Sequence, residues 1–126
     1  MGDEIDMIDR YRQIIKENID YGVMCERYGQ ERINDIVELM LETVCTNRKY
    51  TRIAGNDFPA DVVKSRMLKV DSVHIDYVFG CLKKNTTKIH NIKAYMLTSI
   101  YNAPVTIDSY YSAEVNHDLY GGGSNK

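Results

Sequence analysis

The stretch QERINDIVELMLETVCT, residues 30–46, decides the fold. Ile33, Ile36, Val37, Met40, Leu41 and Val44 recur at three- and four-residue steps, and Glu31, Asp35, Glu38 and Glu42 fall on the opposite side. That period belongs to an amphipathic helix with one stripe turned to a core. Gly29, just before it, is a natural stop for a preceding element, because glycine takes the backbone that closes a helix at little cost. Four carboxylates at helical spacing invite a metal reading. No histidine or further oxygen ligand accompanies them in a ligand order, so the stripe reads as a solvated acidic face.

Toward the N-terminus the same period holds. From Asp3 to about Asp20, Ile5, Ile8, Tyr11, Ile15 and Ile19 share one side, with Asp6, Asp9, Gln13, Lys16 and Glu17 on the other. Residues 20–28, DYGVMCERY, read as a short helix or turn. Gly22 weakens any continuous helix there by about 1 kcal/mol relative to alanine.

Beyond residue 46 the period is lost. KYTRIAGNDFP, residues 49–59, reads as a loop holding at most one short extended segment near 50–53 and a turn at Gly55-Asn56. The extended piece forms a small ribbon or lies alone along the helices; one short strand makes no sheet, so the class is unchanged. Pro59 suits the first turn of a helix over about 59–69, where Asp61 complements the positive helix end and Val62, Val63, Met67 and Val70 or Leu68 turn inward. Asp71 or Ser72 caps the next helix, 72–84, which buries Val73, Tyr77, Val78, Phe79, Cys81 and Leu82 and ends in Lys83-Lys84.

After a loop at Asn85–Thr87 the helix of 90–102 carries Ile92, Tyr95, Met96 and Ile100 as candidate core residues. Leu97, Tyr101 and Ala94 extend its apolar side most of the way round, which predicts a buried central helix. Pro104 ends it, because proline offers no N–H and clashes with the preceding turn. A final helix over about 105–119 carries Ile107, Tyr110, Tyr111 and Val115. The expected architecture is one compact all-α domain of five to six helices over 3–120, with GGGSNK at 121–126 as a flexible tail.

Composition bounds the function. A chain of 126 residues, 44% hydrophobic and 27% charged, is one ordinary domain with enough surface to bury for a core. It has no run of about 18 apolar residues, so no membrane helix is expected. The acidic N-terminus is not a signal peptide. Cys25, Cys45 and Cys81 are odd in number, widely spaced and without a CxxC pair, which points to a reducing cytoplasm rather than a disulfide framework. His74, His90 and His117 are scattered, and no phosphate-binding or nucleophile motif is present. A non-enzymatic domain without cofactor or metal is therefore expected.

Charge is polarised along the chain. Residues 1–45 hold 5 basic against 11 acidic side chains, whereas residues 46–93 hold 10 against 4. The ten basic residues, Arg48, Lys49, Arg52, Lys64, Arg66, Lys69, Lys83, Lys84, Lys88 and Lys93, are candidates for binding nucleic-acid phosphates or a partner. Tyr50, or Tyr101 and Tyr110-Tyr111, are candidates to stack on unpaired bases. The acidic stripe of 30–46 and the tyrosine-rich C-terminal helix are alternative faces for a protein partner.

RIAGNDFPADVVKSRMLKVDSVHIDYVFGCL (52–82) and TTKIHNIKAYMLTSIYNAPVTIDSYYSAEVNHDLYG (86–121) resemble the C-terminal domain of replication initiator protein A, RepA, from plasmids and integrative elements of Firmicutes. EIDMIDRYRQIIKENIDYGVMCER (4–27) fits the start of the same domain. That domain in turn looks related to the helical domain of the primosome protein DnaD. Its signature is a tyrosine, an aliphatic residue four on and a tryptophan eight on. Tyr95 matches the tyrosine; Ser99 stands at the aliphatic position, with Ile100 one step later, and Ala103 stands at the tryptophan. The resemblance implies a DnaD-like fold and an adaptor that recruits host primase or helicase-loading machinery to a mobile-element origin. An auxiliary DNA-binding module using the basic middle is the alternative.

Overall fold

A computed structural model describes the backbone of residues 2–84 and 92–116 and the side chains of 5–84 and 92–105. Its elements run α1 (Gly2–Ile19), α2 (Tyr21–Tyr28), α3 (Gln30–Val44), β1 (Tyr50–Ile53), β2 (Asn56–Pro59), α4 (Ala60–Met67), α5 (Ser72–Lys84) and α6 (Ile92–Asn116). The class is all-α, with one two-stranded antiparallel ribbon. The expected 121–126 tail, the Asn85–Thr87 loop, Lys88, His90 and His117 lie outside the described residues.

The core is organised by α3, which packs against α1, α2, α4 and α6. All six of its expected inward residues are buried; Leu39 and Thr43 are buried as well, and the four carboxylates are exposed. Ile33, Val37 and Met40 are at most 1% exposed, and each such side chain contributes about 1.5–3 kcal/mol over an exposed one. Thr43 is tolerated inside because its hydroxyl donates to the Leu39 carbonyl at 2.9 Å.

The helix expected to be central, 90–102, is instead one-sided. Met96, Ile100, Tyr101 and Ala103 are buried, Tyr95 is half-buried, and Ile92, expected in the core, is 53% exposed. An apolar residue at a helix's first position has no turn before it to help cover it, and composition around the wheel does not register that. Pro104 also fails to end the helix: α6 continues through it to Asn116. Proline removes one backbone bond and costs roughly 3 kcal/mol inside a helix, and the burial of Ile100, Tyr101 and Ala103 just before it offsets that cost.

The break between α1 and α2 falls at Asp20, in the left-handed region at φ 59°, a conformation aspartate tolerates better than most residues. Ile15 and Ile19 are buried and Tyr11 half-buried, whereas Ile5 and Ile8 at the other end of the expected stripe are exposed. Two further inward assignments fail, since Val62 and Val73 are each more than half exposed; Ile75 takes the core place on α5. Asp71 caps α5, its carboxylate accepting the His74 N–H at 3.2 Å while the His74 Nδ1 accepts the Asp71 N–H at 3.0 Å. This reciprocal pair is a capping box with histidine in the usual glutamate place.

Residues 50–53 form the ribbon, and a second strand exceeds the single extended segment expected. The register pairs Tyr50 with Pro59, Thr51 with Phe58, Arg52 with Asp57 and Ile53 with Asn56. The turn residues are therefore Ala54 and Gly55, one step before the Gly55-Asn56 expected, both at positive φ (53° and 82°). Two positive φ values give the mirror-image turn whose twist matches paired strands. Ile53 is buried, and the Phe58 ring lies 5.4 Å from that of Tyr101, which fixes the ribbon against α6.

Candidate partner-binding groove

A groove of about 1050 Å³ opens between the α2–α3 and α5–α6 pairs. Ile36, Leu39, Phe79, Leu82 and Met96 make its apolar floor, and Arg27, Arg32, Asp35, Glu38, Glu42, Lys83 and Lys93 its charged rim. The floor follows from the core pattern: these residues sit where helix stripes diverge, so their inner atoms are covered and their outer atoms line the groove.

Most rim charges are already paired. The Arg12 Nε donates to Glu38 at 3.1 Å, joining α1 to α3, and the Lys93 Nζ donates to Glu42 at 3.1 Å, joining α6 to α3. Arg27 donates to one oxygen of Asp76 at 2.6 Å and the Tyr28 hydroxyl to the other at 2.6 Å. The Tyr28 ring stacks on Phe79 with centroids 4.1 Å apart and planes 15° from parallel. Burial alone would raise the Asp76 carboxyl, but the hydrogen bonds from Arg27 and Tyr28 and the Arg27 charge outweigh it and hold Asp76 below the usual aspartate range. Burial pushes the Tyr28 hydroxyl up, and its bond to Asp76 adds to that. Among the described residues Arg32, Asp35 and Lys83 form no ion pair, so the unpaired rim carries two cations and one anion.

The ten basic candidates divide by element. Arg48, Lys49 and Arg52 lie on and just before β1 and are exposed. Lys64 sits over the Tyr11 ring at 4.7 Å and Arg66 over the Tyr101 ring at 4.2 Å, both half-buried. Lys69, Lys83 and Lys84 are exposed, and among the nine described residues of the ten, Lys83 and Lys93 line the groove. Of the four core candidates, Ile92 and Met96 line the groove, Ile100 lies in the closed core, and Tyr95 packs at its edge.

Arg27 and Arg32 were not singled out in the sequence, because they sit in the acidic first third of the chain and charge blocks hide them. Leu39 was missed because it lies off the six-residue stripe. Among the described residues no three histidine, cysteine or acidic side chains are placed to hold a metal ion. Cys25, Cys45 and Cys81 are free, and burial pushes the Cys45 thiol up, away from the reactive thiolate. No described helix is long and apolar enough to cross a membrane.

The sequence matches the model of a family of unknown function, DUF6017, over residues 3–122. No curated protein and no solved structure matches it.

Proposed function

We propose that this chain, which belongs to the DUF6017 family of unknown function, is a non-enzymatic adaptor domain of a RepA-type replication initiator. It recruits a host replication protein, primase or helicase loader, to the origin of a plasmid or mobile element in the cytoplasm. The observation that carries this reading is the groove. An apolar floor supplies contact area, and a rim with Arg32, Asp35 and Lys83 unpaired supplies register and partner choice. The resemblance of 52–82 and 86–121 to the C-terminal domain of RepA supplies the replication context, which the groove's chemistry does not specify.

The test uses the whole chain as bait for host lysate, with primase and helicase loader quantified against a charge-matched control. Direct titration with the purified captured protein follows. Reversal of both free cations, Arg32→Glu with Lys83→Glu, is expected to weaken binding at least about tenfold, the scale of removing rim complementarity. It should leave stability within about 1 kcal/mol, since both side chains are exposed and unpaired and the cost of an anion in the last turn of α5 is opposed by the gain of one in the first turn of α3. Failure to enrich either factor, or binding indifferent to the double reversal, would sink the adaptor reading.

A further inference from the structure

The outer face of the ribbon lies apart from the groove and has a different chemistry. Along β1 the pleat turns Ile53 into the core, and Tyr50 and Arg52 share the opposite, solvent side. Tyr50 is 59% exposed. Arg48 and Lys49 precede it, exposed and without ion-pair partners among the described residues. Arg52 donates to Asp57 across the ribbon at 3.2 Å, an ion pair in which both side chains are more than half exposed and which a phosphate can displace at little cost. Between residues 48 and 61 the acids are Asp57, paired with Arg52, and Asp61 in the first turn of α4, so three cations flanking one aromatic residue in sequence stand against two carboxylates.

Position matters as much as count. Tyr50 and Arg52 are two strand rises apart, roughly 6.7 Å, within the span of one nucleotide of an extended strand. The ribbon is anchored on its inner side by Ile53 and by Phe58 against Tyr101, and at its base by the Ala60 N–H donating to the Lys49 carbonyl at 2.9 Å. The tyrosine is thus held by its backbone while its ring stays uncovered. A stacking platform for an unpaired base, flanked by cations for the adjoining phosphates, needs this arrangement.

We infer that the outer face of the β1–β2 ribbon binds single-stranded DNA, with Tyr50 stacking on one base and Arg48, Lys49 and Arg52 neutralising the flanking phosphates. The choice of DNA over RNA rests on the replication reading; the stacking surface itself does not. Near an origin that is being opened, such a face would hold the exposed strand while the groove holds the protein.

The experiment is fluorescence anisotropy of a labelled 20-mer thymidine strand titrated with the full chain. With three phosphates neutralised, raising salt from about 50 to about 200 mM should weaken binding roughly 20-fold. Tyr50→Ala should weaken it between about 5- and 160-fold, and Tyr50→Phe should retain it. A duplex of the same length should bind less tightly, having no free base to stack. Circular dichroism of Tyr50→Ala should match the parent, because the ring is uncovered. The inference is overturned by no binding at low salt, by a Tyr50→Ala affinity within twofold of the parent, or by tighter binding of duplex or of a uridine strand. Arg32→Ala, at the groove, should change strand affinity less than about twofold, so loss of the adaptor activity and loss of strand binding can be told apart.

Discussion

The same substitution, glycine to alanine, should move stability in opposite directions at two places in this fold. Gly29 joins α2 to α3 at φ 101°, ψ 138°, and its N–H donates to the Cys25 carbonyl at 2.9 Å. Gly80 lies inside α5 with no positive φ. A Cβ built at either position meets no atom within 4 Å, so packing contributes nothing to the difference and the backbone decides. At Gly29 an L side chain is forced into a sparsely populated region, at about 1–3 kcal/mol. At Gly80 alanine relieves the entropic cost of a helical glycine, worth about 0.5–1 kcal/mol. With 126 residues and about 2.1 cal/mol/K of unfolding entropy per residue, the unfolding entropy is about 0.26 kcal/mol/K. Gly29→Ala should then lower Tm by about 4–11 °C and Gly80→Ala raise it by about 2–4 °C. Thermal unfolding followed by far-UV circular dichroism gives both values. A Gly29→Ala protein as stable as the parent would refute the assignment of the α2–α3 joint to a glycine-only conformation.

Acid should weaken the Asp76 contact. Its carboxyl is depressed in the folded chain, so its contribution is fully present above the ordinary aspartate value of about 3.9 and is lost as pH falls through the lower folded value. Asp76→Asn should therefore be less stable than the parent at neutral pH, with the gap closing in urea titrations as the pH drops below about 4; a gap that stays constant with pH counts against the charged clasp. At the ribbon turn, Ala54→Asn places a residue that tolerates positive φ in a position at φ 53°. It should add about 0.5–1 kcal/mol, or about 2–4 °C in Tm; a lowered Tm would mean that the turn is not the mirror-image type.

The parts of the fold legible in the sequence were those where local period and burial coincide. In α3 all six expected apolar residues are buried, and the carboxylates opposite are solvated, because the helix touches neighbours along that whole stripe. In α1 the stripe is as regular, yet Ile5 and Ile8 are exposed, because period reports which side is apolar and not how far the neighbouring helices extend. Pro104 and Ile92 fail for related reasons. Proline's local cost is real, but packing on α6 outweighs it, and Ile92, though apolar, opens α6 where it stays more than half exposed. The groove was only half visible. Phe79, Leu82 and Met96 read as core, which is what their inner atoms are. That their outer atoms line one groove with Arg27 and Arg32 from the acidic end of the chain is a tertiary fact, carried by no local spacing.

Seen as a mechanical frame, the groove has two unlike ends. At one, α2 is a strut: Tyr21 donates to Asn34 of α3, Met24 is seated in the core, and Arg27 and Tyr28 grip Asp76 of α5. At the other, the Lys93–Glu42 pair is the tie across from α6 to α3, its side chains 65% and 63% exposed, and such a tie is worth less than about 1 kcal/mol and is screened by salt. The α2 side of the groove is thus held by hydrogen bonds, ring stacking and a buried methionine, whereas at the start of α6 the rim pairing is one exposed ion pair, so of the two rims it is the α6 one whose pairing depends on ionic strength.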